Sequence, residues 1–178
     1  MAATVELRDF RPDDAPAVHR WFNDEQVTAD LVGRRDGFSP AAAEDWVERA
    51  MDSSRDRKWA ITIDGSDDAV GFVALFGLDR DVGPELAVLV GEPDAWGKGV
   101  ARAAERQACL HAFNELGAHR IHAEIPATNE AAQRVVTSLG FRQEGLLKKA
   151  IARGDEFIDN QIWGLLPEDF TGPDDGAR

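Results

Sequence analysis

Glu85-Leu-Ala-Val-Leu-Val90-Gly91-Glu-Pro-Asp-Ala-Trp96-Gly97-Lys98-Gly99-Val100-Ala101 is the stretch that decides the fold. Leu86–Val90 is apolar at every position, as a strand buried on both faces requires. Three glycines then interrupt the chain, and the alanine-rich residues 99–116 follow with helical periodicity. A strand that runs through a glycine loop into a helix leaves aligned, unpaired N–H groups at the helix start. Such a junction suits a phosphate-bearing ligand. Glu85 opens the strand upstream of that pocket, where a proton acceptor would stand.

The flanking sequence supplies the rest of a sheet. Val5 and Leu7 alternate with Glu6 and Arg8, so residues 4–9 suit a first strand. Asp13 and Asp14 place acids before a helix over 15–22. Residues 24–38 are polar, carry Gly33 and Gly37, and read as a loop. Ser39-Pro40 is an N-cap followed by proline at the first helical position. The helix it starts runs to about Met51 and buries Ala43, Trp46, Val47 and Ala50. Trp59–Ile63 and Ala69–Phe76 read as strands joined by a turn at 64–68, the second apolar enough to be central. Along 99–116, Ala101, Ala104, Ala108, Ala112 and Leu116 share a face, and Gly117 stops the helix. A strand over 120–125 follows. Thr128 or Asn129 then caps a helix that ends at Leu139-Gly140. Strands over about 142–152 and 156–165 close the chain through Arg153-Gly154-Asp155. These elements predict a single mixed α/β domain over residues 1–166. Residues 167–178 read as a disordered tail.

Bulk properties narrow the function. At 178 residues the chain is long enough for one domain with a full core. Its net charge of −13 argues against nucleic-acid binding, which needs a basic footprint. An acidic field would steer a cationic substrate inward, although acids also simply keep a protein in solution. No apolar run approaches the roughly 20 residues that span a bilayer, so no membrane partner is expected. The N-terminus lacks the basic and apolar regions of a signal peptide, and the single cysteine fits a reducing compartment. A cytoplasmic protein, monomer or homodimer, is the expectation.

Counting residues sorts the glycine loop. Gly91 to Gly97 is one residue too long for a P-loop, and Lys98 precedes Gly99 rather than a hydroxyl. Gly97-Lys98-Gly99 is followed by Val100, Ala101 and Arg102, so a dinucleotide fingerprint lacks its third glycine. Trp96-x-x-Gly99-x-Ala101 instead resembles the pyrophosphate loop of the GCN5-related N-acetyltransferases, which usually reads Gln/Arg-x-x-Gly-x-Gly/Ala. Asn129, Val136 and Gly140-Phe141 resemble that family's later motif, and Leu7–Ala15 with Trp21–Asp24 resembles the opening of its ribosomal-protein N-terminal acetyltransferase subgroup. The resemblance spans roughly residues 4–166. It implies an α/β (α+β) fold with a central mixed, mostly antiparallel, twisted sheet of about six to seven strands and about four flanking helices.

That resemblance also implies chemistry. Acetyl-CoA is the implied co-substrate, a small-molecule or peptide amine the implied acceptor, and the amine attacks directly in a ternary complex. Trp96, Gly97, Lys98, Gly99, Val100, Ala101 and Arg102 would hold the pyrophosphate, and Val88 and Val90 would pair with pantetheine. Asn129 would touch the same arm or merely cap its helix. Glu85 stands eleven residues before Trp96, where several family members carry a glutamate, and would act as general base directly or through water. Its apolar neighbours should raise its pKa toward neutrality, although a strand-end acid can equally sit in solvent or in an ion pair. The backbone N–H near Leu89 would polarise the thioester carbonyl. The acceptor would enter between residues 24–38 and the hairpin at 151–160. There Asp24, Glu25, Asp30, Asp155, Glu156 and Asp159 offer negative charge, each also readable as plain surface.

The chain departs from the family at two positions. The tyrosine that many members use to protonate the leaving thiolate is Val136 here, and the chain contains no tyrosine. A serine frequent in the subgroup is Ala132, and Ser138 is a weak substitute. A thiol leaves readily, with a pKa of about 8.5 in simple models. An acyl-CoA-binding module with little or no catalysis is therefore the alternative reading. Cys109 reads as a packed core thiol. His119 and His122, three apart on a strand, would face opposite ways, so no metal is expected.

Overall fold

Short polar signals start and stop the elements. Ser39 Oγ accepts the Ala42 N–H at 3.1 Å and opens a helix at Pro40, while Asp64 and Gly65 turn the chain at φ 54° and 76°. The computed structural model describes residues 3–31 and 37–171. In chain order these are β1 (Val5–Arg8), α1 (Ala15–Asn23), α2 (Glu25–Thr28), α3 (Pro40–Met51), β2 (Arg57–Ile63), β3 (Gly71–Phe76), β4 (Glu85–Val90), α4 (Val100–Asn114), β5 (Ile121–Pro126), α5 (Glu130–Ser138), β6 (Arg142–Arg153) and β7 (Glu156–Leu165). The seven strands form one open sheet in the order β1-β2-β3-β4-β5-β7-β6.

Every neighbouring pair is antiparallel except β4 with β5. That pair is parallel because α4 carries the chain back across the sheet before β5 begins. It is also brief. Glu85 pairs with His122, His122 N–H reaches Pro84 O at 3.0 Å, and the ladder goes no further. On its other edge β4 pairs with β3 along its whole length, from Phe76 opposite Glu85 to Gly71 opposite Val90. The two central strands therefore open into a wedge toward their C-terminal ends.

Each face of the sheet has its own core. Leu86, Ile121 and Ala123 pack with Val100, Ala104, Ala108 and Ala112 of α4 and Val136 and Leu139 at α5. Leu89, Phe72 and Ala74 pack on the opposite face with Val18 and Trp21 of α1 and Val47 of α3. Trp46 stacks edge-on against Phe10 and lies over Phe72, its ring centroid 5.2 Å and 5.0 Å from theirs.

Some local expectations change. Residues 24–38 do not read through as a loop. Asp24 Oδ1 accepts the N–H groups of Gln26 and Val27 and starts the short α2, while residues 32–36 lie outside the described part. Trp46 is partly rather than fully buried. Leu116 falls beyond the end of α4 and is exposed, because α4 stops at Asn114. The expected tail begins with ordered chain. Pro167–Asp169 forms a 3-10 turn, Phe170 packs 5.6 Å from Phe113, and Thr171 N–H reaches Leu139 O; residues 172–178 lie outside the described part.

Candidate active site

The wedge is lined by backbone. Gly91 N–H bonds to Val70 O of the β3 side, and along a strand these groups alternate between edges. Glu85, Ala87 and Leu89 therefore turn their N–H and C=O groups to β3, and Leu86, Val88 and Val90 turn theirs to β5 and the wedge. Val88 and Val90 turn their backbone groups to the wedge, whereas the Leu89 N–H belongs to the β3 ladder, opposite Phe72. On the facing wall, His122 N–H points at β4, so Glu124 and Pro126 share that direction. Pro126 has no N–H to leave unpaired there.

Trp96 braces the loop beyond β4, its Nε1 donating to Val90 O at 2.8 Å. Gly97 and Gly99 then sit at φ 72° and 79°, where side chains are strained, and a Cβ on either would meet nothing within 4 Å. Gly99 is the N-cap of α4 and offers no side-chain oxygen. The first intrahelical bond runs from Ala103 N–H to Gly99 O, so the N–H groups of Val100, Ala101 and Arg102 precede the ladder. An uncapped 15-residue helix ending in open space is a fitting seat for an anion. Arg102 also bonds Ser138 Oγ through Nε at 3.0 Å, tying the start of α4 to the end of α5. Asn129 caps α5, its Oδ1 accepting Ala132 N–H at 3.0 Å.

At the closed end of the wedge lies Glu85. Residues 86, 121 and 123 face α4, so Glu85, His122 and Glu124 face the side of α1 and α3. Burial raises the Glu85 carboxyl above its ordinary pKa; Glu124 adds to the rise, and His122 and Arg80 oppose it. Asn160 of β7 joins the same face, its Nδ2 donating to Glu124 Oε2 at 2.7 Å.

The acids expected at the acceptor entrance are largely committed elsewhere. Asp24 caps α2, Asp30 pairs with Arg153 at 3.0 Å, and Asp159 accepts the Lys149 N–H at 2.7 Å. The Asp30–Arg153 pair joins the end of α2 to the β6–β7 hairpin. Glu25, Asp155 and Glu156 are exposed. Sequence reading missed Glu124 and Asn160, whose meeting depends on the β5–β7 register. Val136 and Cys109 are buried in the α4 core, where burial pushes the thiol well up. Among the described residues no group of three His, Cys, Asp or Glu side chains is set to hold a metal, and no helix is long and apolar enough to cross a membrane.

Known proteins share this fold. The acetyltransferase (GNAT) domain family matches residues 4–142. An uncharacterized N-acetyltransferase, p20 of Bacillus licheniformis, is 25% identical over 172 residues, covering 94% of this chain and 96% of its own. The spermidine N-acetyltransferase of Vibrio cholerae, solved with CoA and spermine, superposes with a TM-score of 0.83 at 19% identity, covering 93% of this chain and 96% of that one. RimJ of Mycobacterium smegmatis, solved with CoA-disulfide, gives 0.78 at 23% identity, covering 92% and 82%.

Proposed function

The chain belongs to the acetyltransferase (GNAT) family, and from that premise we propose that it moves the acetyl group of acetyl-CoA to a primary amine. One observation carries the reading: the uncapped start of α4 and the Glu85 carboxylate stand at opposite ends of one backbone-lined wedge. N–H groups from Gly97 to Arg102 hold the pyrophosphate. Val90 offers its N–H, and Val88 and Glu124 their carbonyls, to the two amides of the pantetheine arm. Because Leu89 is spent on β3, the donor to the thioester oxygen is the Val88 N–H. The Asn129 amide nitrogen remains for the pantetheine arm, its oxygen being the helix cap.

Glu85 takes the proton the ammonium must lose before nitrogen attacks the thioester carbon. The thiolate leaves as the acetyl–nitrogen bond forms. A raised pKa makes Glu85 a better proton acceptor near neutrality than an ordinary carboxylate. With Val136 in the family's tyrosine position, solvent protonates the thiolate. The test is to incubate the protein with acetyl-CoA and a panel of protein N-terminal peptides, amino sugars and alkyl amines, following thiol release. Release above the hydrolysis background with at least one amine is expected. CoA binding without any amine-dependent release would leave the binding-module alternative, which the missing tyrosine favours.

A further inference from the structure

Resting on that reading of the wedge, we infer that Glu85, Glu124 and Asn160 form a cradle for the acceptor's ammonium group. All three lie on the α1/α3 face. Glu85 stands on the β4 wall, Glu124 two residues past its partner His122 on the β5 wall, and Asn160 on the next strand.

Asn160 gives the cluster its specificity. The residue is 3% exposed, and its Nδ2 is bound to a Glu124 oxygen. A carboxylate only accepts, so this bond fixes which way the amide faces and leaves Oδ1 to a donor. Among the described residues that oxygen has no partner, and neither has His122 Nδ1 in the same cluster. A buried amide oxygen without a donor is destabilising, and such an atom calls for a partner in use. Two carboxylates and one carbonyl supply three acceptors and no fixed donor. A primary ammonium supplies three N–H donors and one positive charge, the complementary set. An alcohol of the same shape has one donor and no charge. The cradle therefore selects cationic primary amines for the reacting position, whatever the remainder of the acceptor is.

Butylammonium chloride and 1-butanol, titrated by NMR into the full chain saturated with CoA, read this directly. Butylammonium should bind, and butanol should bind at least about tenfold more weakly. Glu124→Gln and Asn160→Ala should each weaken butylammonium about tenfold while CoA affinity and melting temperature stay near wild type. Equal binding of the two probes, no binding of butylammonium, or unchanged butylammonium affinity in a folded Glu124→Gln protein would overturn the cradle. Glu124→Gln serves alone where Asn160→Ala does not fold. Failure of CoA to bind the unmodified chain would strike the acetyltransferase reading instead.

Discussion

The two ends of the wedge are built in different ways. The proposed cofactor end is made of consecutive residues, Trp96 to Arg102, which run through the turns at Gly97 and Gly99 into the uncapped start of α4. The proposed acceptor end is made by side chains from β4, β5 and β7 that no local signal unites. A site of the first kind depends on glycine and helix geometry and tolerates many side chains. A site of the second kind depends on register and on the identity of each residue. Substitutions should separate them.

The largest effect belongs to the cofactor end. Gly99→Glu puts a strained, negatively charged side chain at the proposed pyrophosphate seat, and calorimetry should find acetyl-CoA affinity reduced by roughly 100-fold or more, about 2.7 kcal/mol. Glu85→Gln should act on the other end alone. The maximal rate should fall by roughly 100-fold while acetyl-CoA affinity is retained. Wild-type activity should also decline on acidification at a higher pH than an ordinary glutamate gives, since burial and Glu124 raise the Glu85 pKa; the variant should lose that limb.

A third substitution asks how firmly α4 is held. Glu105 is 4% exposed within that helix, and burial pushes its carboxyl up to about 8 from the usual 4.5. The folded chain holds this proton up to a higher pH than the unfolded chain does. The resulting stability is greatest below about pH 4.5 and declines by about 1.4 kcal/mol per unit as pH rises toward 8. Melting curves should show Glu105→Gln stabilised relative to wild type at pH 8, on the order of 2 kcal/mol after the cost of a buried amide, and not at pH 4. The smallest change is expected from Asn129→Ala. Loss of the α5 cap should cost about 1 kcal/mol in a thermal melt. A simultaneous threefold or so weakening of acetyl-CoA, about 0.6 kcal/mol, would mark a cofactor contact beyond the cap.

The same contrast explains what could be read from the sequence. The glycine turns and the Asn129 helix cap were legible because they depend on spacing within one turn or one helix. The order of strands and helices followed from periodicity and from Gly and Pro punctuation. The direction of the Leu89 N–H was not legible, because the edge to which a strand residue turns its N–H depends on pairing with β3, and pairing is not local. Asp24 looked like loose surface charge, although an acid just before Glu25-Gln26 is also an N-cap signal. Glu124 carried no signal at all. Its partner Asn160 lies 36 residues away, and only the antiparallel β5–β7 ladder brings them together.

A crystal structure of the protein grown with CoA tests the central claim most directly. The account predicts pyrophosphate oxygens within hydrogen-bond distance of N–H groups from Gly97 to Arg102, pantetheine amides on Val88 and Val90, and the thiol on the Glu85 side of the wedge. CoA seated away from the start of α4, or a thiol pointing out of the wedge with Glu85 out of reach, would contradict it.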